Sequence, residues 1–365
     1  MRGRVALGLV GVAVLSVSAL GQQGTHLNPM IDLLAAKKAI FGVGVPTAGG
    51  GGRGGNRGGG GAGAAVATTG GTAATMGGTV ATTAAATPAP APVPPKTPAE
   101  LAADAAAHPE ADYFFTAMME RNIDGGSTTM TALQDALAAL GNVRKAPSPR
   151  LVMPVNSKAP NISAPDRPAD PANYVTNISR QLNAGVSTLS FVEVDNAEEL
   201  RQGIAAMRFK SNGGTRPDDV GNAPKYWGVT EAEYRRKADV WPLNPQGELV
   251  VWAIVETKEG LANVREIAQV KGLSVLAPGA GTLGGVFTTT NPDGTRTRDN
   301  VAWEAAIQQV LAACKEFKVP CAYPVSETDI ETRMQQGFTV GILQAFNESA
   351  FRAVAKGRQV SGRDK

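Results

Sequence analysis

A closed (β/α)8 barrel, an α/β fold, is what this sequence predicts, on three observations. Short apolar runs alternate with amphipathic stretches about eight times. Glycines stand where helical stretches give way to the next run. The part of the chain with core-forming composition, ~270 residues, has the length of one such barrel and lacks the glycine fingerprint of an open dinucleotide-binding sheet.

The first run is Ala39 to Pro46. Further strands are predicted over 111–119, 150–155, 187–194, 248–257, 273–278, 319–325 and 338–345. Their β-branched and apolar character reads as buried parallel strands. Between them, Met130, Leu133, Leu137 and Leu140 share one helical stripe. Trp303, Ile307, Val310, Leu311, Cys314 and Phe317 share another. Asn196 with Glu199 has the spacing of a capping box ahead of Leu200, Ile204 and Met207. Gly141, Gly185, Gly272 and Gly337 read as helix stops. Gly279 to Gly285 follows a strand but lacks the Lys-Ser/Thr pair of a phosphate-binding loop.

Composition narrows the function classes. The 365 residues carry 35 Lys and Arg against 32 Asp and Glu, a net charge of +3. That balance does not mark a nucleic-acid binder. Two Cys and two His exclude a disulfide scaffold, a Cys-rich zinc module and most His-rich metal sites. They also leave few candidates for a histidine base. Cys314 falls on a helix stripe and Cys321 in the following strand, layers normally ~10 Å apart. The expectation is therefore two free buried thiols.

The first 21 residues read as an export signal: Arg2 and Arg4, an apolar run from Val5 to Leu20, then Ala19-Leu20-Gly21 as a cleavage site. The alternative is an uncleaved anchor, although the run is short for a stable membrane span. The expected location is secreted or periplasmic. Residues 22–47 hold an N-terminal helix and the first strand. Residues 48–96 are mostly Gly, Ala, Thr and Pro and read as a disordered insert. It is a plain linker, a tether or a cover over the mouth. The remainder of the barrel occupies 97–365.

Chemistry in such barrels gathers at the C-terminal strand ends. That rule selects Glu120 and Arg121 after the second strand and Glu193 and Asp195 after the fourth. It also selects Glu256 after the fifth, and Pro278, Gly279 and Ala280 after the sixth. Glu256 follows the apolar run Leu249 to Val255, so it caps the next helix in solvent or is paired at the rim.

The stretch from Trp252 through Glu256-Thr-Lys-Glu-Gly-Leu to Asn263, with Leu276-Ala-Pro278 about 20 residues on, resembles the HpcH/HpaI aldolase/citrate lyase family. Thr97-Pro-Ala-Glu-Leu, Ala111-Asp-Tyr-Phe-Phe, Gly214-Thr-Arg216 and Val194-Asp195-Asn-Ala-Glu198 carry the resemblance further. It implies a TIM barrel of the phosphoenolpyruvate/pyruvate type and a carbon–carbon lyase. A divalent metal, Mg or Mn, would stabilise the enolate of a 2-oxo acid. Glu256 matches one metal ligand. The second falls at Ala280, which cannot coordinate, so Glu193 or Asp195 would have to replace it. The family histidine falls at Arg121, beside a retained Glu120, and the family arginine at Val152, with Arg150 two residues early. By the same resemblance Glu120 and Arg121 are the catalytic candidates, and Pro278, Gly279, Ala280 and Arg216 the substrate-binding ones.

Two functions follow. One is a 2-oxo-acid aldolase-like lyase with a degenerate active site. The other is a non-catalytic exported barrel that binds a small carboxylate or a protein partner. The implied partners are a small 2-oxo acid or carboxylate, no nucleic acid and no lasting membrane span. Homo-oligomerisation is carried over from the family.

Overall fold

The computed structural model describes residues 26–48, 94–140, 154–159 and 171–363. The signal-like segment 1–21 and most of the insert lie outside them. Eight strands build the barrel: β1 Ile40–Gly44, β2 Tyr113–Thr116, β3 Val155–Ala159, β4 Thr188–Phe191, β5 Leu249–Val255, β6 Val275–Pro278, β7 Ala322–Pro324 and β8 Val340–Leu343. Neighbours pair in parallel from β1 through β6, and β7 pairs with β8, which pairs with β1. Between β6 and β7 a single parallel bridge, Leu276 to Cys321, closes the ring. An extra two-residue strand, Val240–Trp241, lies beside β5. A hairpin of Thr288–Thr290 and Arg296–Arg298 is antiparallel and outside the barrel.

The third strand is displaced from its expected place. It runs over Val155–Ala159 rather than 150–155. Its inward side chains, Asn156 and Lys158, alternate with Val155 and Ala159, which pack outward. Polar inward positions remove the apolar run that marks the other strands.

Side-chain alternation gives two cores. Ile40, Tyr113, Phe115, Val250, Trp252, Ile254, Val275, Val340 and Ile342 fill the barrel interior, and Met30, Ile31 and Leu34 plug it. These three belong to the helix Pro29–Ala35, capped by the Asn28 side chain. The Asn28 backbone N–H donates to buried Glu248 at 2.9 Å, just ahead of β5, so the plug closes the N-terminal end. The other core lies between strands and helices, with Phe41, Phe191, Val251 and Leu276 packed against Ile178, Leu200, Ile267 and Val310. Burying each such side chain stabilises by about 1.5–3 kcal/mol before entropy is counted. Among the described residues no helix is long and apolar enough to cross a membrane.

Local signals in the sequence set the boundaries. Asn196 accepts from the Glu199 N–H at 3.0 Å. The Glu199 carboxylate reaches back to the Asp195 N–H, one residue before the cap, at 2.9 Å. Gly337 ends its helix at φ 114°, a conformation in which a Cβ is strained.

The cysteines correct an expectation. Cys314 and Cys321 form a disulfide with Cα atoms 5.7 Å apart. The helix Asn300–Phe317 ends at Lys318 in the left-handed conformation, and the chain reverses at once. Cys321 therefore meets the helix's last turn rather than crossing a full layer. Non-reducing peptide mapping should recover a linked 314–321 pair. Replacing both by Ser should cost about 2–3 kcal/mol, the loop-closure value for so short a ring, as read from denaturant melts.

The two ends of the insert meet. The Lys96 N–H donates to the Ala48 carbonyl at 3.1 Å. Immediately after, Thr97 and Glu100 form a capping box that starts the helix Pro98–Ala106. The chain thus resumes its barrel path where it left it. Deleting 49–95 and joining the ends with a short glycine linker should leave the melting temperature within about 2 °C of the parent.

Candidate active site

The C-terminal strand ends bring Glu120, Lys158, Glu193 and Glu256 to one mouth. Glu256 is the centre. It continues the inward alternation of Trp252 and Ile254 and is 5% exposed. The solvated cap allowed by the sequence is not what forms. Thr257 caps the helix Lys258–Ala262 instead, accepting from the Gly260 N–H at 2.9 Å.

Three groups act on the Glu256 carboxylate. The Glu193 N–H donates to its Oε1 at 3.1 Å. The Thr282 hydroxyl and the Lys158 charge favour its ionised form. Burial pushes the carboxyl above the usual glutamate range. Lys158, Thr282 and the Glu193 N–H pull it back only in part, and Glu193's own charge adds to the rise. Glu193 has φ 49°, a left-handed conformation costing about 1–3 kcal/mol in a non-glycine residue. Its N–H is the one aimed at Glu256. Gly279 lies so close that a Cβ there would overlap the Glu256 carboxylate. Glycine is required by this close approach, not by turn geometry.

Asp195 does something else. Its carboxylate accepts from the Thr257 hydroxyl. Its carbonyl accepts from Asn263 Nδ2 at 2.9 Å. It ties the end of β4 to the helix after β5 and so positions Glu256. Glu120 sits on the one-turn helix Met118–Arg121 after β2, with Oε2 4.0 Å from Lys158 Nζ. Arg121 has its backbone in that turn. Pro278 ends β6. Ala280 is buried, its carbonyl accepting from Trp303 Nε1 at 2.8 Å. Val152 and Arg150 lie outside the described residues.

Arg216 is not at the mouth. It is fully buried beside Asn183, at the end of the helix Pro171–Asn183 that leads into β4, and Tyr234. That is the N-terminal side of the sheet. Its guanidinium lies 4.2 Å over the Phe209 ring. A short glycine-arginine motif carried it to the substrate list, but the preceding helix has already brought the chain to the opposite end.

Lys158 was missed by the sequence reading, as was Thr282. The signal for Lys158 was its position as the sole charge in Val155–Ala159. It became legible only once the strand was placed correctly.

The described residues do not make a divalent-cation site. Among them no three His, Cys, Asp or Glu side chains converge. Glu256 is already engaged, Asp195 is tied to Thr257, the side chain of Ala280 offers no ligand atom, and an ammonium stands close by.

A family model for HpcH/HpaI aldolase/citrate lyase matches residues 168–342. A curated hydroxypyruvate/pyruvate aldolase from Sagittula stellata is 28% identical over 148 residues, 40% of this chain and 53% of the relative. The chain thus spans about half the length of the curated relative it matches. The fold is shared with an HpcH/HpaI aldolase/citrate lyase family protein from Burkholderia cenocepacia, at TM-score 0.54 and 17% identity, covering 87% of this chain and 92% of that one. It is shared too with an HpcH/HpaI aldolase from Desulfitobacterium hafniense, at TM-score 0.51 and 12% identity over 86% and 89%.

Proposed function

We propose that this chain, whose residues 168–342 match the HpcH/HpaI aldolase/citrate lyase family model, is a carbon–carbon lyase acting on a small 2-oxo acid, with a site that departs from the family's. The observation that carries the reading is Glu256. A carboxyl buried at the barrel mouth, held by a backbone N–H and pushed above its usual range by that burial, is suited to taking and returning a proton.

The reaction needs two proton positions and an anion stabiliser. In the cleavage direction a base takes the C4 hydroxyl proton of a 4-hydroxy-2-oxo acid. The C3–C4 bond breaks, an aldehyde leaves, and the electron pair moves to the C2 oxygen as an enolate. A proton returned to C3 completes a pyruvate-type product. Glu256 is the deepest carboxyl available for this transfer, and Glu120 stands nearer the rim. Arg121, at the position of the family histidine, cannot serve as the base.

The wider expectations keep their place in this reading. The Cys314–Cys321 disulfide supports an exported protein, since such bonds persist in oxidising compartments. The second reading, a barrel that only binds a carboxylate, is supported by Ala280, whose methyl cannot coordinate where the family resemblance expects a metal ligand.

The test is exchange of the methyl protons of pyruvate, and of the C3 protons of hydroxypyruvate, into deuterium oxide, followed by proton NMR. Enzyme-dependent exchange supports the lyase. Saturable binding of pyruvate without exchange replaces it with the binding barrel.

A further inference from the structure

We propose that Lys158 is the site's resident cation: its ammonium, not a divalent metal, receives the carboxylate and developing enolate oxygen of the substrate. The substrate class rests on the lyase reading above. The role of Lys158 rests on its own geometry.

Strand alternation fixes the direction of Lys158. Val155 and Ala159 pack outward with the helices. Asn156 points inward, its Oδ1 accepting from Ser190 Oγ at 2.8 Å. Lys158 is the next inward position and the last on β3, so its stem rises to the mouth. Its Nζ is 4.0 Å from Glu120 Oε2 on β2's side, and its charge reaches Glu256 on β5's side. The side chain is 26% exposed, open enough for a ligand to reach. The 4.0 Å separation is an ion pair without a tight hydrogen bond, which leaves ammonium donors for an incoming oxygen.

Charge argues for replacement rather than partnership. A divalent ion beside Glu256 would be repelled by Lys158, and among the described residues no three His, Cys, Asp or Glu side chains converge to hold it. An ammonium needs no such ligand set. It donates N–H bonds to the two oxygens of a 2-oxo carboxylate and stabilises the charge that moves onto the C2 oxygen when the proton leaves C3.

Oxalate, a planar dianion shaped like the pyruvate enolate, is the probe. Calorimetric titration of the mature chain with oxalate in EDTA should show binding that added Mn²⁺ changes by less than about twofold. Lys158→Met should weaken that binding by about tenfold or more, and Lys158→Arg should restore most of it. Protection gives a readout independent of folding in the variants: oxalate should slow acetylation of Lys158 in the parent protein, read by peptide mapping. Binding that appears only with Mn²⁺ overturns the proposal. So does unchanged oxalate affinity in Lys158→Met, unprotected Lys158, or no oxalate binding in either buffer. The two readings separate cleanly. Metal-dependent exchange of pyruvate protons would sink the role of Lys158 and leave the lyase standing. Lys158-dependent oxalate binding without exchange would do the reverse.

Discussion

Glu256→Gln should abolish proton exchange in pyruvate, by about 10²–10⁴-fold, the usual contribution of a positioned acid–base group, while the protein stays folded. Glutamine keeps the size of the side chain and its acceptor toward the Glu193 N–H, so packing is preserved. It loses only the proton. Stability carries a second signature. The folded protein binds the Glu256 proton more tightly than the unfolded chain does, because burial raises the carboxyl. Stability contributed by this group therefore falls as pH climbs from the ordinary glutamate range through the raised folded value, then levels off. Glutamine does not ionise, so that decline should vanish. Urea melts of parent and variant should agree well below the ordinary glutamate range. Above the folded value the variant should be at least as stable. A variant with full exchange activity would remove Glu256 from the chemistry.

Arg216→Ala should be the most destabilising of the substitutions considered, by about 3–5 kcal/mol. The side chain is fully buried and spans Phe209, Tyr234 and Asn183. Truncation empties that volume and strands the Asn183 and Tyr234 oxygens. Yet no carboxylate is among the hydrogen-bond partners described for Arg216, and its Nε and Nη1 find no acceptor among the described residues. The charge is thus buried at a cost that packing and ring contacts offset. Arg216→Met, which keeps the length and drops the charge, should cost far less than alanine. Neither change should alter oxalate binding, because Arg216 lies at the opposite end of the barrel. Loss of oxalate binding in a folded Arg216→Met protein would return the residue to the substrate site.

The barrel was legible where burial is two-sided. Leu249–Val255 reads as a strand because both faces are apolar, Trp252 and Ile254 inward, Val251 and Val255 outward. Glycine stops at 185, 272 and 337 were legible because positive φ leaves few other residues. What was lost was the strand that serves the site. β3 carries Asn156 and Lys158 on its inner face, and a chemical face breaks the apolar pattern that identifies strands. The family arginine's position, Val152 by the resemblance, falls before that strand and outside the described residues. Glu256, by contrast, stands out in the sequence because it directly follows the wholly apolar run Leu249–Val255. The disulfide was missed because layer spacing was applied to a connection that reverses within three residues of the helix end.

The hydrogen bond between Ala48 and Lys96 makes the mouth an attachment point. Since the barrel holds both ends together, the length between them is nearly unconstrained by folding: doubling an open loop costs only about 0.6 kcal/mol. The point lies just past β1, on the face where the strand ends converge. Anything fastened between those two residues is therefore tethered beside the barrel mouth, at an effective concentration of about millimolar if the span is short and flexible. Lengthening that span dilutes the attached group over the mouth without loosening the barrel.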